Sequence, residues 1–410
     1  MEFPRRTALA AATLAATVPA RGRARAQTPP IRLGVLTDMS GPYAGNTGPG
    51  SVMGVRLAIE DFMRENPGIR VEMVVADPQN RVDTGLQIAR SWLDRDGVDA
   101  IIDVPTSAIA LGLVDIVREK NKVALITAAA ASDLSGRACS PNHVHWVYDT
   151  WAMAHTVGTA TVQEGGDTWY FLTADYAFGH AIERDTGAFV TAAGGRVLGS
   201  ARHPFPGTTD FSSFLLQAQA SRAKVLGLAN AGTDAVNSIK QAAEFGLTRP
   251  GGMRIAAMLT QINDVHALGL QAGQNLLLTE SFYWDMNDGT RAFAARFARE
   301  MRGQHPGMIH AGGYSAAMHY LKAAASLGMA AARADGAATI RRMKEMPTND
   351  PLFGPGQVRA DGRKIHPMHL FLVKSPGDSR GPWDYFQLLR SLPAGESFRP
   401  MAEAGCALAR

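Results

Sequence analysis

The sequence predicts an α/β protein made of two doubly wound parallel-sheet lobes. Short runs of mostly apolar residues, rich in Val and Ile, alternate with longer amphipathic stretches, and such continuous runs are typical of strands buried on both faces. The alternation fills 31–127 and starts again at 169, after a stretch rich in small and polar residues. Two such series, in a chain of 410 residues of which 46% are hydrophobic, predict two globular units and exclude a disordered protein.

Each series places a helix between successive strands, as the crossover connections of a parallel sheet require. In chain order the first series has strand 31–37, helix 51–64, strand 70–76, helix 84–94, strand 99–104, helix 108–120 and strand 122–127. The second has strand 169–175, helix 179–193, strand 195–202, helix 212–221, strand 224–230, helix 235–245 and strand 253–259. Helices at 289–302, 313–327 and 337–344 then precede two extended runs, at 369–374 and 384–390.

The N-terminal segment predicts export. Arg5 and Arg6 precede an alanine-rich apolar run over 8–20, which has the length of a signal-peptide core and is too short to span a bilayer. The Ala-Arg-Ala triplet at 24–26 fits the small-x-small cleavage rule. We therefore expect a twin-arginine-type signal peptide over 1–26 and a periplasmic protein, the alternative being an ordinary amphipathic first helix.

The positive charge of the chain lies in this segment. Residues 1–26 hold five arginines and one glutamate, which account for the whole formal net charge of +4. The remaining chain is balanced, so nucleic acid is not a predicted partner.

The chain has two cysteines, Cys139 and Cys406. Because export leads to an oxidising compartment, we expect them to form a disulfide that ties a C-terminal tail, 391–410, back to the middle of the chain. The alternatives are two unrelated buried thiols, or Cys139 as a nucleophile beside His143.

Motifs for catalysis and cofactors are absent from the sequence. It contains neither a phosphate-binding P-loop nor a G-x-S-x-G nucleophile elbow, and GPGSVMG at 48–54 lacks the spacing of a dinucleotide fingerprint. His366 and His369 lie three apart without a third ligand nearby, so we expect surface histidines beside a strand and no metal. We predict no cofactor and no enzymatic activity.

The loops that follow the predicted strands carry hydroxyls, small residues and aromatics, which suit the binding of a small molecule at the carboxyl ends of the sheets. Ser107 opens a helix, and a helix N-terminus with free amides can receive a carboxylate. The candidate ligand-binding residues are Tyr43, Thr106, Ser107, Ala129, Ala130, Tyr176, Phe178, Asn230, Gln261, Tyr283 and Trp284.

An ordered set of segments extends this interpretation to a family. The set comprises IRLGVLTDMSGPYAG, VVADPQN, Pro105-Thr106-Ser107, CSPNHVHWVYDT, FLTADYAFG, TDFSSFLLQAQASRA, QAAEFGL, ESFYWDMND and ADGRKIHPMHLFLVK. Together they resemble a periplasmic substrate-binding protein of the branched-chain amino-acid (Leu/Ile/Val-binding) type of ABC transporters. The resemblance implies a type I periplasmic-binding fold with a three-strand hinge, a ligand trapped between the lobes, and delivery to ABC transporter permease subunits. It also implies a monomer.

The resemblance assigns roles and lobes. It matches Ser107 and the Ala129–Ala130 loop to residues that hold a ligand carboxylate, and Asn230 with Tyr176 or Phe178 to the wall of the second lobe. The resulting division is 27–147 plus 281–350 for lobe 1 and 148–280 plus 351–390 for lobe 2.

One position departs from the family pattern. Where the amino-acid binders have an acidic residue for the ligand ammonium, this chain has Gln261, with Asp264 three residues on. An amide cannot offset a buried ammonium. We therefore expect a small carboxylate without an α-amino group, such as an aromatic or branched acid, or an amide, stacked on Tyr43, Tyr176 and Trp284. A branched-chain amino acid remains open, and so does the alternative of a ligand sensor with the same fold.

Overall fold

The structure is a computed structural model that describes Met1, residues 29–249 and residues 251–409. The predicted signal peptide lies, apart from Met1, outside the described residues. The first sheet contains strands β1 to β5, at Ile31–Leu36, Val71–Ala76, Ala100–Asp103, Val123–Ile126 and His143–His145. Its strand order is β2-β1-β3-β4-β5, and all pairs are parallel.

The first sheet is covered on both faces, as its apolar strands predict. Helices α1 to α3 lie at Gly48–Glu65, Val82–Asp94 and Ser107–Glu119. Residues of α2 and α3 pack on one face, and α1 packs on the other, together with a later helix, α11 (Met308–Leu327). The sheet and these helices form the first lobe.

The second sheet repeats this plan. Its strands are β6 to β9, at Thr168–Ala174, Arg196–His203, Val225–Ala231 and Arg254–Leu259, in the parallel order β7-β6-β8-β9. It forms the second lobe with helices α4 to α9, at Thr150–Gln163, Ala177–Ala192, Ser212–Ala220, Thr233–Glu244, Ile262–Leu268 and Leu270–Gly273.

The remaining chain builds an antiparallel sheet and the rest of the helices. Strands β10 to β14 lie at Leu277–Glu280, Gln357–Val358, Lys364–Ile365, Met368–Val373 and Phe386–Leu392, and the third sheet has the order β10-β13-β14. Besides α11, the helices are α10, α12, α13 and α14, at Asp288–Glu300, Met329–Ala334, Gly336–Glu345 and Ala394–Ser397. No helix among the described residues combines the length and the apolar composition needed to cross a membrane.

The two parallel sheets flanked by helices confirm the predicted fold class. The chain passes between the lobes at 146–149, at 281–287 and between α13 and β13, which gives the hinge its three crossings. Nine elements were missed. Eight of them are short, with two to seven residues: β5, β10, β11, β12, α8, α9, α12 and α14. The ninth, α4, buries small and polar residues without a clear amphipathic pattern.

The predicted disulfide is present. Cys139 and Cys406 are bonded with their Cα atoms 5.6 Å apart, and Arg399 of the tail donates a hydrogen bond to the Ser132 carbonyl at 3.2 Å. The expectation of a surface His366 is wrong: its side chain is fully buried between the rings of Phe353 and Phe398, because β12 lies beneath the tail.

Candidate functional site

A cavity lies between the two lobes, where the carboxyl ends of both parallel sheets meet. About 320 Å³ of space between atoms lies in and around it, open solvent included. The first lobe and the hinge contribute Tyr43, Asn46, Thr47, Pro105, Ala128, Ala130, Tyr148 and Ile309, and the second lobe contributes Tyr176, Phe178, Ala231, Leu259 and Gln261. Among the described residues that line the cavity, none carries a charged side chain.

The loop Ala128–Ala130, which follows β4, forms one wall of the cavity. All three of its carbonyls accept hydrogen bonds from the crossing 146–149 or its flanks: Ala128 from the Tyr148 hydroxyl at 2.5 Å, Ala129 from His145 Nε2 at 2.8 Å, and Ala130 from the Thr150 amide at 2.8 Å. His145 must be the neutral Nε2–H tautomer, since a carbonyl only accepts; burial keeps its pKa well below the ordinary value.

The Ala130 amide of this loop points the other way. In a planar trans peptide the N–H lies opposite the preceding C=O, so the Ala130 N–H points away from His145. Within the described part of the chain, the Ala130 amide forms no hydrogen bond. Ala130 and Pro105 both line the cavity, and Pro105 lies two residues before Ser107, the first residue of α3. The wall therefore offers an unpaired backbone N–H close to a helix N-terminus, since the neighbouring Ala131 amide donates to Ser107, and this combination suits an anion.

Aromatic rings close the cavity across the lobes. The hydroxyls of Tyr43 and Tyr176 lie 2.5 Å apart, and Phe205 stacks on both rings, at 4.3 Å from the Tyr176 ring and 5.3 Å from the Tyr43 ring. Burial raises the pKa of both tyrosines above the ordinary value, so both are neutral. Such an arrangement presents flat apolar surface and uncharged hydroxyls to a ligand.

The opposite end of the cavity contains amides backed by buried acids. Gln261 lines the cavity as the last residue before α8, and its backbone N–H donates to Asp264 Oδ2 at 2.9 Å. Asn46, from the first lobe, donates its amide to both Asp264 oxygens at 2.8 and 2.9 Å. Burial raises the pKa of Asp264 to about 6, and burial together with the Asp264 charge raises the pKa of Glu280 well above its usual range.

Other contacts hold the lobes together around the cavity. The Thr233 amide donates to the Pro42 carbonyl at 3.0 Å. Gly232 has φ +61°, and a Cβ there would lie 2.1 Å from that carbonyl, so only glycine permits this approach of the lobes. Asp185 of α5 accepts hydrogen bonds from Ser132 at 2.7 Å and from Thr150 at 2.6 Å.

The structure brings some of the predicted site residues together. Of the eleven predicted ligand-binding residues, five line the cavity: Tyr43, Ala130, Tyr176, Phe178 and Gln261. A sixth, Ala129, lies in the loop after β4 between Ala128 and Ala130, which both line the cavity.

The other predicted residues have partners elsewhere. Thr106 donates to Asn80 at 2.6 Å, and Ser107 accepts from the Ala131 amide at 3.2 Å. Asn230 donates to Ser238 at 3.1 Å and does not face the cavity. The next residue of the strand, Ala231, lines the cavity, and successive residues of a strand point to opposite sides. Tyr283 and Trp284 both donate to the Trp383 carbonyl, at 3.1 and 2.8 Å, and pack with the third sheet instead of in the cleft.

The sequence analysis missed several residues of the cavity. Asn46 and Thr47 belong to the loop after β1 from which only Tyr43 was chosen, and Tyr148 belongs to the quoted segment CSPNHVHWVYDT. Leu259 and Ile309 are apolar, and nothing in the sequence separates them from core residues. Among the described residues, no cluster of three or more His, Cys, Asp or Glu side chains could hold a metal ion.

Comparison with known proteins identifies the family. The family model described as periplasmic binding protein matches residues 30–379. The chain belongs to the periplasmic binding protein family. No protein among the curated sequences matches this chain.

Solved structures agree with this assignment. A periplasmic binding protein from Burkholderia mallei is 44% identical, with a TM-score of 0.88 over 92% of this chain and 99% of that chain. A branched chain amino acid ABC transporter periplasmic ligand-binding protein from Burkholderia xenovorans is 39% identical, with a TM-score of 0.79 over 93% and 100%. A solute-binding protein from R. palustris in complex with benzoate, 19% identical, has the same fold, with a TM-score of 0.77 over 93% and 100%.

These findings confirm the predicted class. The receptor is a periplasmic solute-binding protein of the ABC importer type, and its relatives are solute-binding proteins. The cleft between the lobes is therefore the candidate ligand site.

Proposed function

We propose that this receptor traps a small monocarboxylate that lacks an α-amino group, with an aromatic or branched apolar body, and delivers it to membrane permease subunits. The observation that carries the proposal is the cavity wall at Ala130 and Pro105. Its unpaired Ala130 N–H offers a donor to a carboxylate, and the described residues that line the cavity carry no charge.

The apolar body of such a ligand suits the rest of the cavity. The rings of Tyr43, Tyr176 and Phe178 supply flat surface, and Leu259 and Ile309 supply aliphatic surface. The R. palustris protein that binds benzoate is an example of this fold with an aromatic carboxylate.

An α-ammonium group is poorly matched to this cavity. Gln261 has no charge to offer it, and the nearby Asp264 already accepts hydrogen bonds from Asn46 and from the Gln261 amide. Moving an ammonium from water to a site without a charged partner costs several kcal/mol.

Ligand-induced stabilisation tests the proposal. Thermal unfolding is measured with three acids: benzoate, 3-phenylpropanoate and 4-methylpentanoate. It is also measured with phenylalanine and leucine, which are 3-phenylpropanoate and 4-methylpentanoate with an added α-amino group. A ligand at 100 times its Kd stabilises by about 2.7 kcal/mol. We expect stabilisation by at least one acid and a smaller effect of its amino-acid counterpart. Stabilisation by leucine or phenylalanine alone, or by no acid, would overturn the proposal.

The proposal includes release of the ligand unchanged, so mass spectrometry after incubation should recover only the added acid. We also propose that the receptor is a monomer, which light scattering would test.

Export by the twin-arginine route is a further part of the proposal. Replacement of Arg5 and Arg6 by lysine should block this export. For the proposed division into 27–147 plus 281–350 and 148–280 plus 351–390, the packing of α11 on α1 supports the placing of 281–350, and the sheet membership of β1 to β9 supports the separation of 27–147 from 148–280. Within 351–390, Arg363 pairs instead with His145 of the first sheet.

A further inference from the structure

The Ala128 carbonyl lies in the cavity wall and is an acceptor for hydrogen bonds. The protein's own Tyr148 already donates one to it. Ala128 and Tyr148 both line the cavity, and the Tyr148 hydroxyl lies 2.5 Å from the Ala128 oxygen. Since a carbonyl oxygen has no proton, the hydroxyl must be the donor. Burial raises the pKa of Tyr148 well above 10, so the phenol keeps this proton.

With this bond made, the wall presents donors and no free carbonyl. The Ala129 and Ala130 carbonyls accept from His145 and Thr150, and the Ala129 carbonyl points away from the Ala130 N–H. A ligand carboxylate can use such a wall, since it needs only donors. An ammonium group needs acceptors, and the Tyr148 hydroxyl competes with it for the Ala128 carbonyl by occupying one of the two lone pairs of that oxygen.

Tyr148 is held in this position from behind. It lies in the first hinge crossing, 146–149, and its backbone carbonyl accepts a hydrogen bond from Arg363 Nη1 at 2.7 Å. Arg363 is fully buried, pairs with Asp149 at 3.6 Å and lies over the Phe398 ring at 4.6 Å. The backbone of Tyr148 is therefore held by two crossings of the hinge, and its ring is buried, which limits the freedom of its hydroxyl to turn away from Ala128.

We propose that Tyr148 is a specificity-determining residue, whose hydroxyl covers the Ala128 carbonyl and thereby makes the receptor select carboxylates without an α-amino group. Arg363 is the positioning residue that holds Tyr148 in place. The inference rests on the proposed function and names the residue that enforces its ligand class.

The test compares 4-methylpentanoate with leucine, two ligands that differ only by the α-amino group. Calorimetry gives the ratio of their Kd values for the wild type and for Tyr148→Phe, which keeps the ring and loses the hydroxyl. The variant leaves the Ala128 carbonyl free, so we expect the ratio to move at least about tenfold toward leucine, the size of one hydrogen bond to a charged group. The pair 3-phenylpropanoate and phenylalanine should move in the same direction.

Two further variants separate specificity from general damage. Tyr314→Phe removes a hydroxyl that donates to Asp61 at 2.9 Å, away from the cavity, and should leave the ratio unchanged. Arg363→Lys keeps a positive charge but loses the bond to the Tyr148 carbonyl, and should move the ratio in the same direction as Tyr148→Phe. Circular dichroism confirms that each variant is folded.

The outcomes distinguish this inference from the proposed function. A wild type that prefers the amino acid in both pairs, or binds neither acid, overturns the proposed function and the inference with it. A wild type that prefers the acid, with a ratio unchanged in both Tyr148→Phe and Arg363→Lys, overturns the inference alone. A ratio that moves equally in Tyr314→Phe overturns it too, because the effect is then not local.

Discussion

Asp264→Asn should make the protein more stable at neutral pH and leave its stability nearly unchanged in acid. Asp264 is buried without a cationic partner, and burial raises its pKa from 3.8 to about 6. Each pKa unit corresponds to about 1.4 kcal/mol, so the ionised carboxylate costs the folded state about 3 kcal/mol relative to a neutral group. Asparagine removes this cost but accepts through one oxygen instead of two, which loses about 1 kcal/mol.

The sign of the pH dependence follows from proton binding. Between pH 3.8 and about 6 the folded state binds more protons at Asp264 than the unfolded state, so the wild type loses stability as the pH rises through this window. The variant lacks this loss. We therefore expect a gain of about 2 kcal/mol at pH 7.5 and almost none at pH 4.5.

Urea unfolding, followed by tryptophan fluorescence at both pH values, measures this difference. Asp61→Asn serves as a contrasting control. Hydrogen bonds from Arg296 and Tyr314 overcome burial and lower the pKa of Asp61 below 3.8, so its carboxylate stabilises the fold at both pH values, and this variant should lose a similar amount of stability at pH 7.5 and at pH 4.5. A stability change for Asp264→Asn that is the same at both pH values, or a larger loss at pH 7.5, would refute the reasoning.

Three further predictions concern the ligand and the tail. Gln261→Glu should weaken the binding of 4-methylpentanoate about tenfold at pH 8 and strengthen that of leucine, because it adds a carboxylate to the cavity; calorimetry measures both. Reduction of the disulfide between Cys139 and Cys406, 267 positions apart, should lower the free energy of unfolding by as much as about 5 kcal/mol in urea titrations, while a double serine variant should not respond to reductant. Tyr283→Phe should leave ligand affinity within twofold of the wild type and cost about 1 kcal/mol of stability, since its hydroxyl bonds Trp383 outside the cavity.

The order of strands and helices could be predicted because it depends on local pattern. Apolar runs such as Ile31–Leu36 form buried strands in an α/β protein, and the bounds of these strands differ from the prediction by one or two residues. α4 was not predictable in this way. Its sequence, TWAMAHTVGTATVQ, has no polar stripe, and it is helical because Asp149 caps its N-terminus and because it packs on α5, β9 and β10.

The site was predictable as a set of loops and less so as a set of side chains. Parallel strands bring their carboxyl ends together, which places the loops after β1, β4, β8 and β9 around one cavity. Which side chain of each loop faces inward depends on contacts distant in sequence. Asn230 turns to Ser238 and leaves the cavity to Ala231, and Trp284 turns to a loop of the third sheet about a hundred residues away.

The tail suggests how this receptor could be made into an optical sensor. Cys406 is bonded to Cys139, and Gly136 packs against the Ala404 carbonyl, so the C-terminal end of the described chain is attached to the first lobe. A donor fluorophore placed on Ala407–Ala409 would then move with that lobe, and an acceptor at the exposed Phe245 would move with the other. Energy transfer between the two dyes would report ligand capture without any label in the binding cleft.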